Sequence, residues 1–203
     1  MSAPTGRRDF EALECALREA LIERGVVAAP EIEQRIETMH ARRPALGGRV
    51  VARAWTDAAY RQRLLTDGSA AVRELLGIDV GSLKLVVVEN TPAVHNVIVC
   101  TLCSCYPRML LGMPPDWYKS VEYRARVVRE PRAVLDEFGL RFPSEVAVRV
   151  HDSTADMRYL VLPMRPEGST SLAESELATL VSRDAMIGVA LVAAPSEVGS
   201  GQA

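Results

Sequence analysis

Three of the four cysteines lie between residues 100 and 105, and this cluster constrains the fold of the 203-residue chain more than any other feature. The segment reads VCTLCSCYP, with cysteines at positions 100, 103 and 105. A disulfide framework distributes its cysteines along the chain, whereas tight clustering indicates a metal or redox site. We therefore expect a short loop, between a strand and a turn, that brings three sulfur atoms together.

Composition and charge limit the class of protein. Hydrophobic residues make up 48% of the chain and charged residues 25%, which suits one domain with a core and an appended arm. The formal net charge of -2 does not favour nucleic acid as a partner. Apolar runs such as residues 85–88 are too short to cross a membrane, and no apolar core of a signal peptide follows Arg8. We therefore expect a cytoplasmic protein with reduced thiols.

Residues 10–77 repeat apolar side chains at helical spacing and predict four helices. The first two have little neighbouring chain to cover their apolar faces. We therefore expect residues 1–45 to form a helical arm that packs on a partner subunit. The predicted boundaries are a stop at Gly25, a start at Pro30, an interruption at residues 43–48, N-caps at Thr56 and Ser69, and a stop at Gly77.

Beyond Gly81 the pattern changes to segments rich in Val and Ile, which are typical of strands. The polar turn at residues 152–156 separates two of these segments and predicts a β-hairpin. With its helices, residues 46–192 should form a metal-binding α+β domain, and the small, polar residues 193–203 a loose tail. The predicted strands are residues 83–89, 95–100, 146–150 and 158–162, and the predicted helices are residues 123–128, 132–138 and 172–186.

The spacing of the cysteines favours one trivalent metal ion. A Cys-x-x-Cys pair can place two sulfurs on one ion, and Cys105 adds a third. Little chain separates Cys103 from Cys105, so the backbone nitrogens of Ser104 and Cys105 are forced close to an ion that both sulfurs bind. Those nitrogens bind only when deprotonated, which requires a strongly polarising ion, cobalt(III) or iron(III) rather than zinc.

Three other interpretations of the cluster remain open. A structural zinc site needs four separated side-chain ligands, usually as two pairs, so His95 would have to be the fourth ligand. A thioredoxin-like redox pair should open a helix after a strand, which Pro107 and the third cysteine fit poorly. The last interpretation is three buried, inert cysteines, although this density in one loop is unusual even for a residue type that is often buried.

The loop sequence CTLCSCYP at residues 100–107 occurs together with several flanking segments, and the whole set resembles the nitrile hydratase α subunit family. Thr101 is similar to the cobalt type, because iron-type relatives usually have Ser at this position. The resemblance covers most of the chain. The flanking segments that carry it are residues 52–57, 89–99, 111–119, 123–132, 157–163 and 183–189.

The resemblance implies the chemistry of the site and the fold. Cys100 would be the axial thiolate, Cys103 a sulfinate and Cys105 a sulfenate. The amide nitrogens of Ser104 and Cys105 would complete the protein ligands of a low-spin Co(III) ion, with Fe(III) as the second choice. The catalytic residues implied are Cys105, Cys103 and Ser104, and the reaction is hydration of a nitrile to an amide. The fold implied is a layered α-β-β-α domain with a helical N-terminal arm.

The same resemblance implies partners. One or more β-type subunits would supply arginines that bind the oxidised sulfurs, so the isolated chain would lack part of the active site. An activator or metallochaperone protein would load the metal. A small nitrile-type molecule would be the substrate.

Arg108 departs from the family pattern, because many nitrile hydratases have Trp there and an aromatic ring would shape a small apolar pocket. A guanidinium is a positive, forked donor instead. The cobalt subunit of thiocyanate hydrolase, which is similar to this chain in having Arg there, is the alternative function, and a nucleoside nitrile is another candidate substrate. We predict that Arg108 and Trp117 line the substrate pocket, although Arg108 could instead pair with a partner carboxylate and Trp117 could belong to the core. The alternative of another class is a noncatalytic zinc-binding interaction module.

Overall fold

The computed structural model describes residues 6–195, which divide after Ala41 into two compact units. The first unit consists of α1 (Gly6–Glu23) and α2 (Ala29–His40). The second begins at Arg42 and contains all of the described strands. The predictions for residues 1–5 of the arm and residues 196–203 of the tail lie outside the described residues.

The helices of the first unit form where the sequence predicts them. Gly25 follows α1 with a φ of +67°, which suits glycine at a helix end, and Pro30 lies in the first turn of α2. Phe10, Leu13 and Leu17 are 71%, 63% and 58% exposed. Since these positions recur at helical spacing, α1 presents an apolar stripe at its surface.

The second unit arranges short helices and strands around one hydrophobic core. Of the described helices, none combines the length and the hydropathy that a membrane-spanning segment needs. The helices of this unit are α3 (Pro44–Thr56), α4 (Ala58–Thr66), α5 (Gly68–Leu76), α6 (Arg108–Leu111), α7 (Asp116–Lys119), α8 (Val121–Arg126), α9 (Pro131–Glu137), α10 (Glu174–Leu180) and α11 (Arg183–Ile187). The strands are β1 (Lys84–Glu89), β2 (Val94–Val99), β3 (Ala147–Asp152) and β4 (Met157–Leu162).

The break predicted at Arg43 and Pro44 is confirmed, because α2 ends at His40 and α3 begins at Pro44. The break predicted at Gly47 and Gly48 is wrong, because α3 runs through both glycines. A Cβ atom on Gly48 would stand 2.6 Å from the backbone oxygen of Ala178 in α10. The absence of a side chain therefore permits close packing of α3 on α10. This packing outweighs the low helix propensity of glycine.

Both N-caps predicted at hydroxyl residues are wrong. Asp57 caps α4 and Asp67 caps α5, because each carboxylate accepts a hydrogen bond from the backbone N–H three residues on. Thr56 is instead the last residue of α3. The Ser69 hydroxyl accepts from the Leu85 amide at 2.9 Å, so that it ties α5 to β1.

The segment at residues 172–186 forms two helices rather than the predicted one. α10 ends at Leu180, and the Ser182 hydroxyl accepts from the Ala185 amide at 3.1 Å to begin α11. The break lets α10 pack on α3 while α11 packs on β4. A new N-cap therefore allows one apolar segment to cover two different surfaces.

The predicted hairpin is wrong, although all four strands form near their predicted positions. β3 and β4 do not pair with each other, since β1 pairs with β4 and β2 pairs with β3, both in parallel. Residues 95–99 of β2 and residues 160–162 of β4 are buried without alternation. Continuous burial is typical of strands that are covered on both faces, as in parallel sheets, rather than of a hairpin with one open face.

The two small sheets lie between helices. α4 and α5 pack on β1, β2 packs against β4, and α9 packs on β3. The order across the unit is therefore α-β-β-α, which confirms the α+β class.

A buried polar network joins β2 to the end of α11. The Asn90 side chain makes two of these bonds. Its oxygen accepts from the Asn96 backbone N–H at 2.8 Å, and its nitrogen donates to His95 Nδ1 at 3.2 Å. His95 Nε2 lies 2.8 Å from the Gly188 carbonyl oxygen. Because a carbonyl can only accept, Nε2 carries the proton and the ring is neutral. Both ring nitrogens of this 3% exposed side chain are therefore satisfied, as a buried polar group requires.

Gly188→Ala should destabilise the chain more than Gly139→Ala. Both glycines have left-handed backbones, with φ of +94° and +82°. A Cβ on Gly188 would lie 2.1 Å from the Asn96 backbone oxygen, whereas one on Gly139 would meet nothing within 4 Å. We expect about 1–2 kcal/mol of backbone strain at either site and about 1–3 kcal/mol more from overpacking at Gly188. Urea unfolding measures the difference, and equal losses would contradict the close approach of α11 to β2.

The folded chain should lose stability as the pH falls below about 6.5. Burial lowers the pKa of His95 and of His151, so the unfolded chain takes up protons first. The stability that these neutral rings contribute is present above the unfolded pKa and is lost as the pH falls towards the folded value. His95→Gln and His151→Gln should each reduce the fall in melting temperature between about pH 7 and 5.5. An undiminished fall in both variants would contradict this account.

Candidate metal centre

The cysteine loop, defined here as residues 100–105, begins where β2 leaves the core. Cys100 is fully buried, Cys105 is partly buried and Cys103 is exposed. No helix or strand forms within the loop, and α6 begins only at Arg108. A thioredoxin-like site requires the Cys-x-x-Cys pair to open a helix, and here it does not.

The three sulfur atoms of the loop converge. Cys100 Sγ lies 3.6 Å from Cys103 Sγ, which lies 3.4 Å from Cys105 Sγ, and all three are within 4.8 Å of one another. Two sulfurs bound to one ion at about 2.3 Å are about 3.3 Å apart at a right angle and about 3.8 Å apart at a tetrahedral angle. The separations therefore fit one shared ion. Among the side chains that the structure describes, no other group of three His, Cys, Asp or Glu converges in this way.

The thiols of Cys103 and Cys105 have pKa values shifted in opposite directions by their hydrogen bonds and their burial. The neighbouring thiols of Cys105 and then Cys100 lower the pKa of Cys103, since they donate to its thiolate. Burial, followed by the contact with Cys103, raises the pKa of Cys105 to about 12. Cys103 therefore loses its proton before Cys105, and a metal that binds both must displace the more tightly held proton of Cys105.

Side chains from three other elements hold the cysteine loop near both of its ends. The Thr101 N–H and hydroxyl donate to the two oxygens of Asp152 at 2.9 and 2.6 Å. Arg124 Nη1 donates to the Thr101 carbonyl at 3.2 Å. The Tyr118 hydroxyl donates to the Cys105 carbonyl at 2.9 Å. Protein contacts therefore fix the loop just after its first cysteine and at its last.

A cavity of about 380 Å³ opens beside the cysteine loop. Its acidic residue, Asp79, already pairs with Arg73 at 3.0 Å. Within the described residues, Arg42 and Arg108 have no ion-pair partner, and Arg158 donates to backbone carbonyls. The cavity is therefore electropositive. Its lining includes Cys103, Ser104, Cys105, Arg42, Arg108 and Arg158.

The structure brings Arg108 to this cavity but places Trp117 and His95 elsewhere. The Trp117 ring lies 4.9 Å from the rings of Tyr123 and Phe138, in an aromatic cluster outside the cavity lining. Both ring nitrogens of His95 are engaged in the buried network. His95 therefore does not supply the fourth side-chain ligand that a structural zinc site would need.

Two residues of the site are not found by sequence reasoning. Asp152 falls in the turn of the predicted hairpin, yet parallel pairing with β2 sets it opposite Val99, directly before the cysteine loop. Arg158 is the second residue of β4 and lines the cavity, where its charge opposes the rise in the pKa of Cys105. Only the correct strand pairing would have revealed either residue.

Comparisons with known proteins agree on one family. The family described as nitrile hydratase, alpha chain, matches residues 8–190. The low-molecular weight cobalt-containing nitrile hydratase subunit alpha of Rhodococcus rhodochrous is 44% identical over 196 residues, which cover 96% of this chain and 94% of that protein. The thiocyanate hydrolase subunit gamma of Thiobacillus thioparus is 43% identical over 194 residues, with 90% and 80% covered.

A solved structure shows the same similarity in three dimensions. A double mutant of the Fe-type nitrile hydratase from Comamonas testosteroni Ni1 superposes with a TM-score of 0.86 at 44% identity, covering 94% of both chains. The similarity thus extends over nearly the whole chain rather than the cysteine loop alone. The chain therefore belongs to the nitrile hydratase alpha chain family.

Proposed function

We propose that this chain is the metal-carrying subunit of a nitrile hydratase, which hydrates a nitrile to the amide. The observation that carries the proposal is the convergence of the Cys100, Cys103 and Cys105 sulfurs within one loop. Membership of the family supports it, since a relative 44% identical is a cobalt-containing nitrile hydratase subunit. A noncatalytic zinc-binding module would account for the convergence of the sulfurs but not for membership of this family.

The ligands that we assign to the metal are the three sulfurs and the amide nitrogens of Ser104 and Cys105. Co(III) is the first choice, because Thr101 resembles the cobalt type and the Rhodococcus relative is cobalt-containing. Fe(III) is the second, because the Comamonas neighbour is Fe-type. When bound, a trivalent ion supplies Lewis acidity that makes the carbon of a nitrile electrophilic.

The chain's own residues shape the reaction site around that ion. Cys103, Ser104 and Cys105 line the cavity, so a Cys103 sulfinate and a Cys105 sulfenate would present oxygen atoms to the substrate. Such oxygens accept strong hydrogen bonds and can orient a water molecule towards the nitrile carbon. Cys105 and Cys103 are therefore assigned to catalysis, and Ser104 contributes its backbone between them.

One or more β-type subunits complete the site in this proposal. Leu102, between the first and second cysteines, is 84% exposed, and α1 carries the apolar stripe described above. Exposed apolar surface of this kind favours burial against another chain. Arginines of the partner would satisfy the oxidised sulfurs, because buried oxyanions need paired donors. An activator or metallochaperone would load the metal in the cytoplasm.

The second candidate function is that of the cobalt subunit of a thiocyanate hydrolase. The observation that favours it is the set of three cavity arginines, Arg42, Arg108 and Arg158, whose only acidic neighbour in the lining is already paired. A positive cavity raises the local concentration of an anion, and thiocyanate is an anion with a carbon–nitrogen triple bond. A relative 43% identical is a thiocyanate hydrolase subunit.

Replacement of the last ligand should abolish turnover without unfolding the chain. Cys105→Ala removes one sulfur from a partly buried loop position, and we expect kcat to fall more than about a hundredfold, since loss of even an outer-shell partner costs 10–100-fold. Cys15→Ala, which removes an exposed cysteine of α1, is the matched control. Turnover and metal content of the assembled complex are measured together. Full turnover in Cys105→Ala would refute the proposed ligand set.

Substrate comparison separates the two candidate functions. If the chain serves a nitrile hydratase, the assembled complex should have the higher kcat/KM for a neutral nitrile, and salt should change that value little. If it serves a thiocyanate hydrolase, thiocyanate should be preferred, and its kcat/KM should fall with ionic strength as the arginines are screened. Arg108→Gln should then lower kcat/KM for thiocyanate by about tenfold while sparing the neutral nitrile. A preference for thiocyanate would overturn the first candidate.

A further inference from the structure

Thr101 stands between the buried first cysteine and the exposed Leu102, and all of its polar groups are bonded. Its N–H and hydroxyl donate to Asp152, one to each carboxylate oxygen, at 2.9 and 2.6 Å. Its carbonyl accepts from Arg124 at 3.2 Å. Hydrogen bonds to charged groups are stronger than neutral ones, so one residue of the cysteine loop is restrained by an anion on one side and a cation on the other.

The two charged residues are themselves fixed to the end of β2. Asp152 is the last residue of β3 and lies opposite Val99 in the parallel register. The strand contact continues beyond it, because the Ser153 amide donates to the Val99 carbonyl at 2.7 Å. Arg124 belongs to α8, in which the neighbouring Tyr123 hydroxyl donates to the Ile98 carbonyl at 2.8 Å. Both partners of Thr101 are therefore attached to the strand from which the loop departs.

This attachment determines the direction of the loop. With the peptide groups on both sides of Thr101 held, the chain turns back over Cys100, and the Cys103 amide donates to Cys100 Sγ at 3.3 Å. The Thr101 bonds are made by protein groups alone. They therefore restrict the loop in the metal-free chain, so that part of the ordering needed for metal binding is already present.

We propose that Asp152 and Arg124 are positioning residues that hold the cysteine loop, through Thr101, in the conformation in which its three sulfurs converge. The function that we assign to this restraint rests on the proposed metal site, but the restraint itself is a property of the metal-free chain. The hydroxyl is an essential part of it. A serine at position 101 would keep both bonds to Asp152, whereas a valine of the same shape would leave one carboxylate oxygen without its donor.

The test uses the metal-free full-length chain, four single variants and the double variant that combines Asp152→Ala with Thr101→Val. Asp152→Ala removes the acceptor of the Thr101 hydroxyl, and Thr101→Val removes the hydroxyl itself. Thr101→Ser retains the bond. Asp156→Ala is the matched control, because Asp156 lies in the same β3–β4 turn and is exposed. Its carboxylate makes no hydrogen bond or ion pair within the described residues. Hydrogen exchange of the amides at residues 101–105 reports the order of the loop, and titration with Co²⁺, followed by thiolate-to-cobalt absorption, reports its affinity.

We expect Asp152→Ala and Thr101→Val to exchange the loop amides about tenfold faster or more and to need about tenfold more Co²⁺ for half-saturation. Thr101→Ser and Asp156→Ala should match the parent chain in both measurements. The double variant should resemble Asp152→Ala alone, because the two side chains act on one interaction. Thr101→Val alters no side chain outside the loop and keeps the test decisive if Asp152→Ala unfolds.

Unchanged exchange and unchanged Co²⁺ affinity in both Asp152→Ala and Thr101→Val would overturn the inference while leaving the proposed metal site standing. If the parent chain and the assembled complex bind neither cobalt nor iron, the proposed function fails instead. Hydrogen exchange in the metal-free variants would still decide whether Asp152 holds the loop through Thr101.

Discussion

Parallel pairing of β2 with β3 fixes the point at which the chain leaves the core and becomes the cysteine loop. The pairing buries β2 along almost its whole length, so Cys100 follows a rigid strand and is itself fully buried. It also carries Asp152 to hydrogen-bonding distance of Thr101, the second residue of the loop. The convergence of the sulfurs thus depends on an interaction between strands that are about fifty residues apart in sequence.

Features that depend on neighbouring residues, such as the cysteine loop and the helix ends, were the most predictable from the sequence. The cysteine spacing predicts convergence within one loop, and Gly77 predicts the end of α5, where it adopts a φ of +67°. The hydroxyl caps at Thr56 and Ser69 were not correct, since an aspartate within two residues of each offers a carboxylate that bonds the same type of backbone N–H. Two equally strong local signals cannot be ranked without the helix register.

Non-local contacts explain the remaining errors. The turn at residues 152–156 is real, but the continuous burial of β2 and β4 requires cover on both faces, which parallel pairing provides and a hairpin does not. Gly48 predicts a break by composition, yet the close approach of α10 makes glycine the residue that fits within α3. Asp152 and Arg158 became site residues only because of these long-range pairings.

The charge of the cavity distinguishes the two proposed functions, nitrile hydration and thiocyanate hydrolysis, which would use the same metal centre. The cysteine loop lies within the residues that match the family, whereas Arg108 and its neighbours give this cavity a positive potential. Anionic and neutral substrates with triple bonds would respond to that potential differently. In the proposed function, the loop would hold the metal and the cavity wall would set the substrate preference.

X-ray absorption at the metal edge of the purified, assembled complex tests the central claim most directly. The account predicts cobalt with three sulfur and two nitrogen neighbours in its first shell, and loss of one sulfur in Cys105→Ala. A first shell of four sulfur or imidazole ligands around zinc, with no amide nitrogen, would contradict it.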